Sequence, residues 1–228
     1  MKVVLHVGMH KTATTFLQAE IFPKLKNVNL IHKFELGSKL YEDKLNIISN
    51  EGFSGKSYHP FTNADERFIK ADRLHAMFPD AFILIGVRNP TSWHKSLYSQ
   101  YLKRGGILKF EEWKENVDPR YFDTYYYINY LQKLFGEKKV YVYEFEELIK
   151  NHHKFVLGIC AFLEVDVPEY ENKVFQRSFT TRQKETMRKL NKIFHSKQNP
   201  KGIIPFEPFR RLIDMVRKTD NPKKLREI

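Results

Sequence analysis

The chain has 228 residues and a formal net charge of +12, with 39 Lys and Arg against 27 Asp and Glu. That length supports one sizeable core, and no Gly/Ser linker, low-complexity tract or internal repeat divides it, so 1–228 reads as a single domain. The lone cysteine, Cys160, excludes an intrachain disulfide and any multi-cysteine metal site, and no apolar run approaches the ~20 residues of a membrane span.

In chain order, Lys2 to Val7 reads as a buried strand that begins directly after Met1 with no signal-peptide pattern, which points to a cytoplasmic protein. The strand runs into Gly8-Met9-His10-Lys11-Thr12-Ala13-Thr14-Thr15. A turn with Gly and Lys followed by a helix from Thr14 to about Phe22 forms a phosphate cradle, because the first helical N–H groups and the helix dipole favour an anion. The fit to the nucleotide-triphosphatase loop G-x-x-x-x-G-K-[ST] is partial, since Gly8 stands three residues before Lys11 and His10 occupies the place of the second Gly. Val28 to His32 suggests a short strand, and Ser38 to about Leu45 a helix. A second buried strand, Asn46 to Ser49, ends in Asn50 and Glu51. Gly52 to Asn63 is loop-like, and Ala64 to Phe78 has helical spacing.

Ala81 to Val87 is a continuous apolar run, as for the centre of a parallel sheet, and it ends in Arg88-Asn89-Pro90. A nucleotide triphosphatase places a carboxylate at such a strand end to hold Mg2+. A permanent cation there suits bidentate recognition of a phosphate without a metal. A helix from Thr91 to Arg104 carries Ser92 and Ser96 and stops at Gly105-Gly106. Further helices are expected over Tyr121 to Phe135, Glu147 to Leu163, Arg182 to His195 and Phe206 to Lys218, with a strand over Lys139 to Tyr143. Cys160 sits in an apolar helix as a core residue. The alternation of strands and helices implies a three-layer α/β fold, a mainly parallel central sheet flanked by helices, of P-loop nucleotide-binding type. Gly8 to Lys11, Glu51 and Arg88 then fall at the C-terminal ends of strands, where such sheets bind ligands.

The segment His10 to Thr15 together with Arg88-Asn89-Pro90 and Ser96 resembles the signatures of sulfotransferases that use 3'-phosphoadenosine 5'-phosphosulfate (PAPS), closest in motif to their carbohydrate and bacterial branch. The resemblance implies transfer of a sulfuryl group to an acceptor hydroxyl, on a sugar or other small alcohol, without a metal. It implies that Lys11 stabilises the leaving nucleotide, that Gly8, His10, Thr12, Ala13, Thr14 and Thr15 complete the cradle, and that Arg88 and Ser96 grip the 3'-phosphate. Ser49-Asn50-Glu51 matches a setting in which glycan sulfotransferases often place a catalytic Glu, so Glu51 is the candidate base if burial raises its pKa, with His59 and His10 as rivals. Ala13 stands where the family usually has Gly. In the first helical turn that exchange is harmless. Loop residues Phe53, Tyr58, His59 and Phe61 could wall the acceptor, whereas Tyr125, Tyr126, Tyr127 and Tyr130 read as a packed helix surface. Arg177 to Arg182 and Lys201-Gly202 could close over the nucleotide. The basic cluster Lys218, Lys223, Lys224 and Arg226 reads as a solvated tail. A P-loop kinase would need Mg2+ ligands and a Gly before Lys11. A noncatalytic nucleic-acid-binding module would need a recognition motif that the dispersed basic residues do not form.

Overall fold

A computed structural model of the chain describes residues 1–205, apart from 33, 36, 57, 62 and 172–178. The helix expected over Phe206 to Lys218, the basic C-terminal cluster, and Arg177 and Ser178 lie outside the described residues. Two units organise the chain. The first takes in the described residues of Met1–Ser57, Phe61–Trp93 and Asp118–Phe175, and the second those of Tyr58–Pro60, His94–Val117 and Gln176–Ile228.

The first unit is built on a five-stranded, wholly parallel sheet: β1 (Lys2–His6), β2 (Val28–Ile31), β3 (Leu45–Ser49), β4 (Phe82–Val87) and β5 (Val140–Glu144), in the order β2-β3-β1-β4-β5. Central strands of such a sheet are buried on both faces, which is why β3 reads Leu-Asn-Ile-Ile-Ser with every residue buried. Helix α1 (Thr14–Phe16) continues through a π-helical turn, Leu17–Ile21, into a 3-10 turn, Phe22–Lys24, that contains Pro23. Its Phe16, Leu17, Ile21 and Phe22 pack with Val4, Ile47, Leu84 and Tyr143 of the sheet. The other face of the sheet is covered by α5 (Thr124–Phe135), which packs on β4, β5 and α2 (Asp65–Met77). Helix α3 (Pro90–Lys103) leaves the end of β4 and crosses from the first unit into the second. Helices α6 (Phe145–Lys150) and α7 (His152–Leu163) share the α1 side of the sheet, with Cys160 buried in α7 as expected.

Within the second unit, α4 (Phe110–Asn116) buries Trp113, whose Nε1 donates to the Tyr58 carbonyl at 3.0 Å. Helix α8 (Thr181–Asn191) ends at Asn191, whose buried amide donates to the carbonyls of Leu102 and Gly106. A short parallel pair follows, β6 (Phe194–His195) with β7 (Ile204–Pro205).

Three local expectations need correction. Ser38 to Leu45 is irregular rather than helical, because the Asn46 side chain accepts from the Tyr41 N–H and donates to the Tyr41 and Lys44 carbonyls, taking the groups a helix would use. The helix expected over Glu147 to Leu163 is two helices, since Asn151 adopts an extended conformation and caps α7 through the Lys154 N–H at 3.0 Å. The helix expected over Arg182 to His195 stops at Asn191. Among the described residues, no helix is long and apolar enough to cross a membrane.

Candidate active site

Strand β1 lies at the centre of the sheet, and its C-terminal end is flanked by the ends of β3 and β4. The three loops leaving these ends carry Lys11, Glu51 and Arg88. This is the position that open parallel sheets use for ligands, and it follows from strand order alone.

The cradle is tightly wound. Gly8 is required by close approach: a Cβ there would stand 2.6 Å from Thr14 Oγ1 and 2.9 Å from His6 Nε2. Thr12, fully buried, donates its hydroxyl to the Met9 carbonyl at 2.6 Å and so closes the turn internally. Lys11 and Ala13 both adopt positive φ, 69° and 75°. Ala13 is therefore not the comfortable first-turn residue expected from the sequence. It is the left-handed cap of α1, a conformation that favours Gly and strains a residue with a Cβ. The first N–H groups of the helix have no intrahelical acceptor, the usual basis of an anion site. The Thr14 hydroxyl is buried and makes no well-formed hydrogen bond within the protein. Thr15 is exposed.

Arg88 reaches back to the cradle. Its Nη1 donates to the Lys11 carbonyl at 3.1 Å, its Nε donates to Ser92 Oγ at 2.9 Å, and its guanidinium lies 4.1 Å from the centroid of the Phe145 ring. Burial lowers its pKa, with the Glu146 carboxylate opposing. Ser92, half-exposed at the start of α3, thus braces the Arg88 guanidinium. Its spacing of four residues from Arg88 was the available signal. Trp93, buried in α3, donates Nε1 to the His10 carbonyl at 2.9 Å, a second brace that the sequence gave no reason to single out. Ser96 belongs to the second unit and is buried, one helical turn along α3 from Ser92.

Glu51 opens a 3-10 turn, Glu51–Ser54, capped by Asn50, whose side chain accepts from the Gly52 N–H at 2.8 Å. Its Oε2 lies 3.0 Å from His10 Nδ1, while His10 Nε2 lies 3.0 Å from the Gly55 carbonyl. Burial alone would raise the Glu51 pKa. The hydrogen bond and charge of His10, and more weakly the Thr14 hydroxyl and the Lys11 charge, outweigh that and leave it lowered. The carboxyl is consequently ionised, the reverse of the burial-raised base expected from the sequence.

His59 lies in the second unit and donates Nδ1 to the Pro60 carbonyl at 2.9 Å. Of the suggested acceptor wall, Tyr58 is buried in that unit and Phe61 is 78% exposed. Tyr127 is buried, Tyr125 and Tyr126 are exposed, and the Tyr130 hydroxyl bonds to Asp72. Thr180 caps α8, and Lys201 and Gly202 lie in a turn before β7. Among the described residues, no group of three or more His, Cys, Asp or Glu is placed to hold a metal ion.

A parallel α/β sheet with a Gly- and Lys-containing loop after β1 and an arginine at the neighbouring strand end is an arrangement suited to an anionic ligand. The profile of the sulfotransferase family matches residues 48–169, and the chain belongs to that family and is an enzyme of its kind. The match takes in Glu51 and Arg88 and begins after the cradle. Among solved structures, the chain is similar to a sulfotransferase from Alicyclobacillus acidocaldarius, at 19% identity and a TM-score of 0.53, covering 76% of this chain and 86% of that one. It is also similar to the mouse sulfotransferase SULT7A1 complexed with PAP, at 18% identity and a TM-score of 0.50, covering 74% and 61%. No curated protein sequence matches it.

Proposed function

We propose that the chain transfers a sulfuryl group from PAPS to an acceptor hydroxyl, on a sugar or other small alcohol, by in-line displacement without a metal. The observation that carries this is the Arg88 contact with the Lys11 carbonyl, which ties the two halves of an anion site together at the end of β1. In this reading, the cradle N–H groups of Thr12 to Thr15 and the Thr14 hydroxyl receive the 5'-phosphosulfate. Lys11 neutralises charge growing on the bridging oxygen as the bond from sulfur to it breaks. Arg88 holds the 3'-phosphate, whose oxygens its planar guanidinium suits. Glu51, ionised at neutral pH, takes the acceptor proton. As in phosphoryl transfer, most of the rate comes from positioning and charge stabilisation.

The test is transfer of radiolabelled sulfate from PAPS to a panel of mono- and oligosaccharides and simple alcohols, in EDTA, read by chromatography. Labelled product with wild type and none with Lys11→Ala is expected. Full activity in Lys11→Ala would overturn the assignment. Losing a desolvated Arg–phosphate pair costs roughly 1.5 to 3 kcal/mol, so Arg88→Ala should bind 3'-phosphoadenosine 5'-phosphate (PAP) one to two powers of ten more weakly by calorimetry. An equal loss for the analogue lacking the 3'-phosphate would remove that phosphate as the Arg88 partner.

A further inference from the structure

The contacts of His10 constrain its protons. The Gly55 carbonyl can only accept, so at 3.0 Å the Nε2 atom must carry a hydrogen. Gly55 holds φ at 80°, and a Cβ there would stand 2.9 Å from the Tyr121 hydroxyl, so the loop that presents this carbonyl needs a glycine. With Nε2 protonated, a neutral ring would turn the bare lone pair of Nδ1 toward Glu51 Oε2 at 3.0 Å, lone pair against carboxylate. One further proton must lie between them. Trp93 Nε1 bonds the His10 carbonyl at 2.9 Å and anchors its backbone.

We propose that the acid–base group of this enzyme is the His10–Glu51 pair sharing one proton, with His10 a positioning residue that keeps Glu51 aimed and ionised. This rests on the assignment of Glu51 as base and deepens it. The surroundings place the shared proton on the imidazole: Lys11 and the Thr14 hydroxyl face Glu51 from the cradle, and both favour a carboxylate. The other titratable neighbours, His6 on β1 and Tyr143 on β5, are buried and bonded to each other at 2.9 Å. The His10 side chain is 14% exposed and that of Glu51 35%, so a proton enters through Glu51. In the step itself, the acceptor oxygen bonds to sulfur and the bond from sulfur to the bridging phosphate oxygen breaks. The electron pair leaves on the nucleotide, and the hydroxyl proton passes to Glu51. The pair then holds two protons and returns one to water.

Nuclear magnetic resonance of the whole protein with PAP bound tests this without an acceptor, using 15N-labelled histidine and 13C-labelled glutamate across a pH series. The His10 signals are assigned by loss in His10→Gln, and cooperative urea unfolding of that variant reports its folding. At neutral pH both ring nitrogens of His10 should carry a directly bonded proton, and in Glu51→Gln the Nδ1 proton should be lost while Nε2 keeps its own. A wild-type Nδ1 with no bonded proton, or an Nδ1 signal unchanged in Glu51→Gln, would overturn the pairing. Sulfate transfer by Glu51→Gln reports separately on the base: retained turnover removes Glu51 from that role whatever the resonances do. Lost turnover together with an Nδ1 signal unchanged in Glu51→Gln leaves the base standing and removes the pair.

Discussion

Two residues with side chains, Lys11 at φ 69° and Ala13 at φ 75°, hold the cradle in the left-handed region. Lys11 is braced there by the Arg88 bond to its carbonyl, and the Ala13 methyl packs against the core beside α1, a smaller gain than the strain of a Cβ at positive φ. Ala13→Gly should therefore raise the unfolding free energy by about 1 kcal/mol in urea denaturation; an unchanged or lowered value would show that the conformation is unstrained. His6 offers a pH test. It is fully buried between Ser49 Oγ at 2.7 Å and the Tyr143 hydroxyl at 2.9 Å, and burial pushes its pKa from 6.5 down to about 3, with Glu51 opposing. The unfolded chain then binds a proton that the folded chain refuses. Stability from this group is complete above 6.5 and declines as pH falls from 6.5 toward about 3. His6→Gln should flatten that decline in denaturation midpoints measured across the window, and an unaltered slope would assign it to other groups. At this scale the residue types of the site were legible from their motifs. The backbone angle of Ala13 and the link from His10 to Glu51 were not, since both arise from loops meeting in space.

The break between α6 and α7 rests on one side chain. Asn151 accepts from the Lys154 N–H, and Asn151→Ala should destabilise the protein by about 1 kcal/mol, seen as a lower urea midpoint with unchanged slope. No change would mean that packing alone sets the boundary. The strands of the sheet were legible because β1 and β4 are continuous apolar runs ended by polar residues, and β3 holds Ile47 and Ile48 before its polar end. Helix α4, seven residues long, was not, because so short a segment shows barely two turns of periodicity. Asn46 misled the reading before β3 for a related reason: its three contacts with the chain just before it replace local helical bonds with side-chain ones.

For the whole molecule, the alternating pattern was enough to anticipate a parallel sheet, and strand order then brings the three loops together. In the second unit, the aromatic cluster of Tyr98, Tyr101, Phe110 and Trp113 and the bonds of Asn191 to Leu102 and Gly106 join elements through contacts that leave no period in the sequence. The net charge of +12 should draw anionic nucleotides toward the protein, so PAP association should slow as salt rises from 0.05 to about 0.5 M in stopped-flow measurements. A salt-independent rate would leave the overall field without a role. The central claim is that the end of β1 holds a 3'-phosphorylated nucleotide and needs no metal to do so. Calorimetric titration with PAP beside ADP, each in EDTA and again with Mg2+, tests it most directly. Metal-independent binding of PAP, at least tenfold tighter than ADP, is the expected result; binding of ADP or ATP only with Mg2+, and none of PAP, would contradict it.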